Sequence, residues 1–141
     1  MSSSSEDDNK LLVGVQMMQK YFGAGLLADL QAKSARNDMF TTAGQEYIAE
    51  VCFSSYARPG LSFRERCLMN IAMLAALNRG PELRIHIRAA IHTGLNEEEV
   101  CEACRHAMVY CGVPAGRDAL GIASEVFETV GAGSQAKSSK I

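Results

Sequence analysis

Several features are missing from this sequence, and each absence argues against a class of protein. No block of Lys or Arg occurs, and the formal net charge of the 141 residues is −2. This balance argues against nucleic acid or an anionic membrane surface as the main partner. No apolar run reaches the roughly 18 residues that a membrane span needs. Residues 1–9 are Ser-rich and acidic, unlike a secretory signal peptide. We therefore expect a cytoplasmic protein that is not exported by a cleaved signal.

Strand-like alternation of apolar and polar residues is also missing. The apolar spacing is helical instead, and it predicts one all-α domain of six to seven helices over residues 10–130. Segments rich in Ser, Gly and charge at residues 1–9 and 131–141 are predicted to be a disordered and a flexible tail. The predicted helices, divided by glycines, prolines and capping residues, cover residues 10–22, 26–35, 42–56, 62–77, 81–94, 97–112 and 114–130.

The fourth predicted helix is almost wholly apolar after its first turns. Between Cys67 and Leu77 its one polar residue is Asn70. A helix that is apolar on every side is typical of a central helix covered by others. Asn70 is therefore expected to need a buried hydrogen-bond partner.

The cysteines suggest reduced thiols, since their number is odd and no export signal is recognised. Cys101 and Cys104 form a C-x-x-C motif, which is one candidate for thiol redox chemistry. Nearby acidic residues oppose thiolate formation there, and Cys104 falls on an apolar stripe with Val100, Ala107 and Cys111. Packing is the favoured interpretation. Metal binding is not expected, because the histidines lack the H-E-x-x-H spacing and one cysteine pair supplies only two ligands. The five cysteines are Cys52, Cys67, Cys101, Cys104 and Cys111.

The fifth predicted helix carries the most suggestive polar residue. His86 lies at the border of its apolar stripe, where a partly buried imidazole could face a cleft. The alternative is a core histidine satisfied by one hydrogen bond. Charged residues near the same helix pair could grip an anionic substrate, or they could be solvated ends and intersubunit ion pairs. The stripe is Leu83, Ile87, Ala90 and Ile91, with Arg84, Arg88 and His92 opposite. The nearby charges are Arg64, Arg66, Arg79 and Glu82.

The stretch Leu68-Met-Asn-Ile-Ala-Met-Leu-Ala-Ala-Leu-Asn-Arg79 closely resembles a signature of the carboxymuconolactone decarboxylase family. The resemblance covers about residues 10–128. It continues through Glu82-Leu-Arg-Ile-His-Ile-Arg88, Gly94, Glu98-Glu-Val100 and Tyr110-Cys-Gly-Val-Pro-Ala115, and upstream through Gly14, Gly23, Gln45-Glu46, Cys52 and Arg58-Pro-Gly-Leu61.

This resemblance implies an AhpD-like helical bundle whose subunits assemble into a homo-oligomeric ring, commonly a trimer or hexamer, with a dimer as the alternative. It also implies an active site without metal or organic cofactor, acting on a small carboxylic acid. The family's prototype decarboxylates an unsaturated lactone acid and moves its double bond. Loss of CO₂ leaves electrons that flow into a conjugated carbonyl, so the enolate oxygen needs a donor and the carbon needs a proton.

The resemblance also implies roles for particular residues. His86 falls on the family's helix histidine and is assigned the proton transfer, with Glu46 as its orienting partner or partner base. Arg66, together with Arg64 or Arg88, would hold a carboxylate or the developing oxyanion. The predicted substrate-binding residues are Arg66, Arg64, Glu82, Arg88, His92 and Cys52.

Departures from the family pattern bear on the substrate. The family tends to have an arginine at Met18 and tryptophans around Phe53 and Tyr56, and Ile91-His92-Thr93-Gly94 replaces a more usual Leu-Asn-Asn-Gly. Losing a cation suggests a bulkier or less charged substrate, such as an aromatic or polyketide acid of secondary metabolism.

Three other functions compete with the decarboxylase hypothesis. An isomerase or cyclase would use the same residues without releasing CO₂, and a non-catalytic helical oligomer would bind a partner or ligand. The superfamily also contains thiol-dependent alkylhydroperoxidases, whose redox C-x-x-C precedes the helix histidine; this chain has Arg79 and Glu82 there. The terminus Ser139-Lys140-Ile141 resembles a peroxisomal address, which is the alternative to the cytoplasm.

Overall fold

The computed structural model describes residues 3–34 and 36–138, with side chains described for residues 5–34 and 36–131. These residues are helical almost throughout and include no strand, so the predicted all-α class is confirmed. The chain divides into two compact units after Phe63. The terminal tripeptide that resembles a peroxisomal address lies outside the described residues.

The first unit opens with helix α1 (Ser3–Lys33), which is broken at Gly23. Gly23 has φ 75° and ψ 161°, a conformation that glycine adopts at little cost because it has no Cβ. The predicted division near residue 23 is therefore confirmed, although both halves form one continuous element.

Helical backbone extends into both predicted tails. Helix α1 begins at Ser3, and the last helix continues to Ser138. The described side chains of residues 5–10 are all exposed, so this turn of α1 adds nothing to a core. The domain boundaries at residues 10 and 130 stay a prediction.

The single helix predicted over residues 42–56 consists of three helical segments. Helix α2 (Met39–Tyr47) is followed by a π-helix (Ile48–Phe53) and a 3₁₀-helix (Ser54–Ala57). Helix α2 begins earlier than predicted because Asp38 caps it: the carboxylate accepts from the backbone N–H of Thr41 at 2.8 Å.

An aromatic cluster forms the core of the first unit. Tyr21 is fully buried, and its ring centroid lies 5.0 Å from that of Phe22, 5.6 Å from Phe53, 5.1 Å from Tyr56 and 6.0 Å from Phe63. Edge-to-face pairs of this kind add to the free energy gained from burial alone. The cluster joins α1 to the π- and 3₁₀-helices.

The second unit contains helices α3 (Phe63–Ala76, whose first residue belongs to the first unit), α4 (Gly80–His92), α5 (Glu97–Cys111) and α6 (Val113–Ser138). Gly94 and Gly112 follow α4 and α5 with φ of 91° and 92°, as expected of glycines that end helices. Asn96 caps α5 in a capping box with Glu99, so the predicted cap is confirmed.

The sequence predicts that α3 is covered by other helices on every side. Within the described chain it is not, so for the single chain this prediction was wrong. Cys67, Ile71 and Ala75 are buried. Met69, Met73 and Leu77, on another face, are 49%, 50% and 68% exposed. The core of the second unit needs only one face of the helix, and the apolar composition of the other faces does not itself bring a neighbour.

Candidate functional site

His86 lies on α4 beside the fully buried Ile87 and faces Asn70 of α3. The side-chain nitrogen of Asn70 is 3.4 Å from Nδ1 of His86, in partly buried surroundings. The partner that the sequence requires for Asn70 is thus the histidine that the sequence singles out independently. Helices α3 and α4 belong to the same compact unit, so this pair is a feature of that unit alone.

The environment of His86 favours its neutral form. Burial lowers the pKa of His86 from 6.5 to about 4, while the negative charge of Glu82, one turn earlier on α4, opposes this shift by raising the pKa. Removing an imidazolium from water is costly, and one nearby carboxylate compensates only in part. At neutral pH the ring is therefore an uncharged imidazole with one proton.

The lowered pKa of His86 predicts a specific dependence of stability on pH. Between its native pKa of about 4 and its unfolded value of 6.5, the unfolded chain binds the extra proton. The free energy of unfolding should therefore be unaffected by His86 above this range and fall as the pH drops through it. The loss expected once the pH has fallen through the whole range is about 3 kcal/mol. Urea denaturation at a series of pH values measures it.

A His86→Leu variant isolates this contribution from that of the carboxylates, which also titrate in acid. The difference in unfolding free energy between wild type and variant should be constant above about pH 7.5 and should change in favour of the variant as the pH falls. Parallel pH curves for the two proteins would contradict the lowered pKa.

A carboxylate lies one turn before the histidine. Glu82 accepts a hydrogen bond from Arg79 through Oε1 at 2.8 Å, and this bond lowers the pKa of Glu82. Although the side chain is 42% exposed, Oε2 is buried and has no hydrogen-bond partner among the described residues. A sheltered carboxylate oxygen without a partner is costly to leave unsatisfied, so it suits a hydrogen-bond donor from a ligand or from water.

Spacing along α4 explains why these groups lie together. Residues three or four apart share a helix face, so Arg79, Glu82 and His86 follow one another along one side of the helix. Arg79 is the N-cap residue, immediately before α4. Pro81 occupies the first turn, where the N–H that proline lacks would have no partner within the helix.

Besides Arg79, two more arginines of the second unit, Arg64 and Arg84, are engaged in ion pairs. Arg64 bonds to the carbonyl oxygen of Gly94 and to the carboxylate of Glu99, tying α3 to the start of α5. Arg84 pairs in the same way with Glu125 of α6. Arg64 therefore supports the packing of the second unit, and its predicted substrate contact stays untested.

The other predicted substrate-binding residues fall in different surroundings. In the second unit, Arg66 on α3 and Arg88 on α4 are half-buried, and His92 is exposed at the end of α4. In the first unit, Glu46 and Cys52 are exposed. The role of Glu46 as a partner to His86 stays a prediction.

The two cysteines of the C-x-x-C motif lie in different surroundings, one buried and one exposed. Cys104 is buried, and burial, with a smaller effect of Cys101, raises its pKa to about 11. Such a thiol is a poor nucleophile. Cys101 is exposed. Cys111 is exposed too, so its predicted place on the buried stripe was wrong; it is the last residue of α5, where the helix leaves the core.

A small surface depression lies at the junction of α3, α4 and α6. Arg79 lines it and His86 does not, so the depression and the His86 environment are separate features of the second unit. Among the described side chains, no group of three or more His, Cys, Asp or Glu could hold a metal ion. The depression is lined by Leu74, Ala75, Asn78, Arg79, Gly80, Leu83, Ala115, Asp118, Ala119 and Ile122.

An all-helical protein with a desolvated histidine beside an amide and a carboxylate has the parts of an acid–base site built on helices. The comparisons with known proteins specify the class further. The model of the carboxymuconolactone decarboxylase family matches residues 43–125. The chain belongs to this family.

Two characterised relatives are each 39% identical to this chain. One is the 4-carboxymuconolactone decarboxylase of Acinetobacter baylyi, aligned over 88 residues, which are 62% of this chain and 66% of that protein. The other is the nitrosuccinic acid decarboxylase of Metarhizium robertsii, aligned over 82 residues and 57% of each chain. The chain thus spans less than two thirds of the length of either relative. In the part that the structure describes, no helix combines the length and apolarity that crossing a membrane requires.

Proposed function

We propose that this protein is a cofactor-independent carboxy-lyase that uses His86 to release CO₂ from a small organic acid. The observation that carries the proposal is the neutral, desolvated imidazole of His86, held by Asn70 at 3.4 Å. A desolvated titratable group with specific polar partners marks a candidate functional site. The family, and two relatives named as decarboxylases, point to the reaction.

The names of the relatives suggest the class of substrate. One acts on a carboxylated lactone and the other on a nitro-substituted diacid, by their names. Lactone carbonyls and nitro groups both accept electrons. We infer that the substrate of this chain likewise carries an electron-accepting group next to the carbon that loses CO₂. Unsaturated lactone, β-keto, aromatic and polyketide acids meet this requirement.

The protonation state of His86 defines its part in the reaction. The bond between carbon and the departing carboxylate breaks, CO₂ leaves, and the electron pair moves into the acceptor group. A neutral imidazole N–H donates a hydrogen bond to the oxygen where this charge develops. The new negative charge raises the proton affinity of the ring, which then takes a proton from water and passes it to carbon. The ring returns to its neutral form, and the hydroxide that the water leaves combines with the released CO₂ as bicarbonate.

The neighbouring charges divide the remaining tasks. Arg66 and Arg88, half-buried on α3 and α4, are the arginines assigned to the substrate carboxylate, because guanidinium groups bind carboxylates through two parallel hydrogen bonds. Glu82 Oε2, sheltered and without a partner, would accept a hydrogen bond from a substrate hydroxyl or a bound water. Arg79 keeps this carboxylate ionised.

Incubating the purified protein with 4-carboxymuconolactone, nitrosuccinate and a set of β-keto and aromatic acids tests the reaction. CO₂ release is measured alongside substrate loss by NMR. We expect one CO₂ per substrate consumed for at least one acid. Substrate consumed without CO₂ would assign an isomerase or cyclase instead, and no turnover of any acid in the set would reject the proposed substrate class.

The assembly of the chain also belongs to the proposal. We expect a homo-oligomer, a trimer or hexamer, and the apolar side chains that α3 exposes support it. Met69 and Met73 of α3, and Leu77 just after its end, are four residues apart and exposed. Apolar stripes of this kind are common where a partner packs. Light scattering of the full chain would measure the assembly, and a monomer at micromolar concentration would reject it.

A further inference from the structure

We propose that Asn70 is a positioning residue that holds His86 in a single tautomer, with its proton on Nε2. The inference rests on the proposed function of His86, because the tautomer decides which ring nitrogen can donate to a substrate. Asn70 is the one polar residue in the stretch from Cys67 to Leu77.

The chemistry of the two groups defines the tautomer. The amide nitrogen of Asn70 carries two donors and cannot accept, so a hydrogen bond to Nδ1 of His86 at 3.4 Å requires an unprotonated Nδ1. A neutral imidazole has one proton, which must then be on Nε2. The reversed orientation of the amide would present its oxygen to Nδ1 and demand the opposite tautomer. The two orientations therefore make opposite and measurable predictions.

The position of Asn70 makes its hydrogen bonding important to the packing of α3. It lies between the fully buried Cys67 and Ile71, in the stretch from Cys67 to Leu77 that is otherwise apolar. A polar amide in such surroundings costs roughly 1–3 kcal/mol unless it is hydrogen-bonded. A leucine of similar volume would fill the same space without this cost, and it would leave the tautomer of the ring undefined.

The length of the contact fits a ligand-free site. At 3.4 Å it is longer than an optimal hydrogen bond. Hydrogen bonds of catalytic groups are often long in free enzymes and shorten when the substrate binds. Bond strength is not needed to set a tautomer, since the repulsion between an amide N–H and a ring N–H already disfavours the wrong one.

The second polar neighbour of His86 makes the assigned tautomer useful. Glu82 lies one turn before His86 on α4, and its charge acts on the ring. With Nδ1 engaged by α3, the ring offers Nε2–H as its donor. A histidine locked in the wrong tautomer can retain its geometry and still lose several orders of magnitude in rate.

Nitrogen-15 NMR of the full-length protein at neutral pH tests the tautomer directly. The resonances of His86 are assigned by their loss in His86→Gln. We expect a pyridine-like Nδ1 and a pyrrole-like Nε2. A pyrrole-like Nδ1 in the wild-type protein would overturn the inference, and this measurement needs no folded variant of Asn70.

Two variants then connect the tautomer to the rate. Asn70→Asp keeps the shape but presents only acceptors, so it should move the proton to Nδ1 and lower kcat by between about 10-fold and 10⁴-fold, with KM changed much less. Asn70→Ser, which can donate through its hydroxyl, should retain more activity. The charge-matched control is Asn37→Asp, at an exposed residue of the first unit, and it should behave as wild type.

These outcomes separate this inference from the proposed function. If Asn70→Asp shifts the tautomer without changing kcat, the positioning role is wrong while the carboxy-lyase stands. If His86→Leu leaves turnover intact, the proposed function is wrong whatever the spectrum of the wild-type ring. If Asn70→Asp leaves both tautomer and kcat unchanged, Asn70 has no positioning role.

Discussion

Replacing His86 by leucine is expected to lower kcat/KM for CO₂ release by between about 10² and 10⁴, the range for removing a positioned acid–base group. Leucine fills a similar volume and removes both ring nitrogens. Because burial keeps the ring neutral, with a pKa of about 4, the substitution exchanges one uncharged group for another. The fold should therefore survive, and the measured effect should be chemical. Steady-state kinetics on the best acid of the substrate set gives the number.

A matched control separates catalysis from the general loss of a histidine. His106 is exposed on α5, and its ring is tilted against that of Tyr110 with centroids 5.1 Å apart. His106→Leu should stay within about twofold of wild type, in keeping with the small effects of surface substitutions. Wild-type activity in His86→Leu, with an unchanged helical circular dichroism signal, would remove this histidine from the mechanism.

Much of the architecture could be predicted from local signals. Glycines at 23, 94 and 112 adopt positive φ where the pattern predicts a helix to break or end. The cap at Asn96 follows from the acidic turn after it. Asp38 is also a favourable N-cap residue, but no acidic residue follows it in the first turn of α2, and the start of α2 was not predicted. The π-helix at residues 48–53 was beyond prediction, because the spacing of apolar residues does not distinguish a slightly wider turn from an α-helical one.

The candidate site divides differently. Sequence indicated that Asn70 needs a partner and that His86 borders a buried stripe, but it could not pair them. They lie on different helices, and their contact depends on how α3 packs against α4. The pair Arg79 and Glu82 could have been predicted, since residues three apart on a helix are neighbours. The engagement of Arg64 with Gly94 and Glu99 could not, because it joins residues that are far apart in the chain.

Sequence composition also misled in one respect. The stretch of α3 from Cys67 onward, apolar except for Asn70, suggested burial on all sides, yet Met69 and Met73 are half exposed within the described chain. An apolar residue that is exposed in a single chain can be buried by a neighbouring subunit in an oligomer. The exposed apolar residues of α3 are therefore the reason to measure the oligomeric state.

Among the glycine-to-alanine substitutions compared below, Gly14→Ala is expected to lower the free energy of unfolding most. A Cβ built at Gly14 would lie 1.7 Å from the carbonyl oxygen of Ala49 and 2.4 Å from its carbonyl carbon. Ala49 is buried in the π-helix, so α1 and that segment approach each other backbone to backbone. Backbone cannot rotate out of the way as a side chain can. Relief requires the two elements to separate, which disturbs the aromatic cluster that joins them.

The expected loss in unfolding free energy is about 1–3 kcal/mol or more, measured by urea denaturation with circular dichroism. Two alanine substitutions calibrate it. Gly44→Ala, in α2 with nothing within 4 Å of the added Cβ, should be neutral or stabilising by up to about 1 kcal/mol. Gly116→Ala would meet Cγ of Met108 at 1.6 Å and its Cβ at 2.8 Å. A rotamer change of Met108 relieves the closer contact, so its loss should be the smaller of the two clashes. Equal stability of Gly14→Ala and Gly44→Ala would mean that α1 and the π-helix are not in backbone contact, and the core of the first unit would have to be described anew.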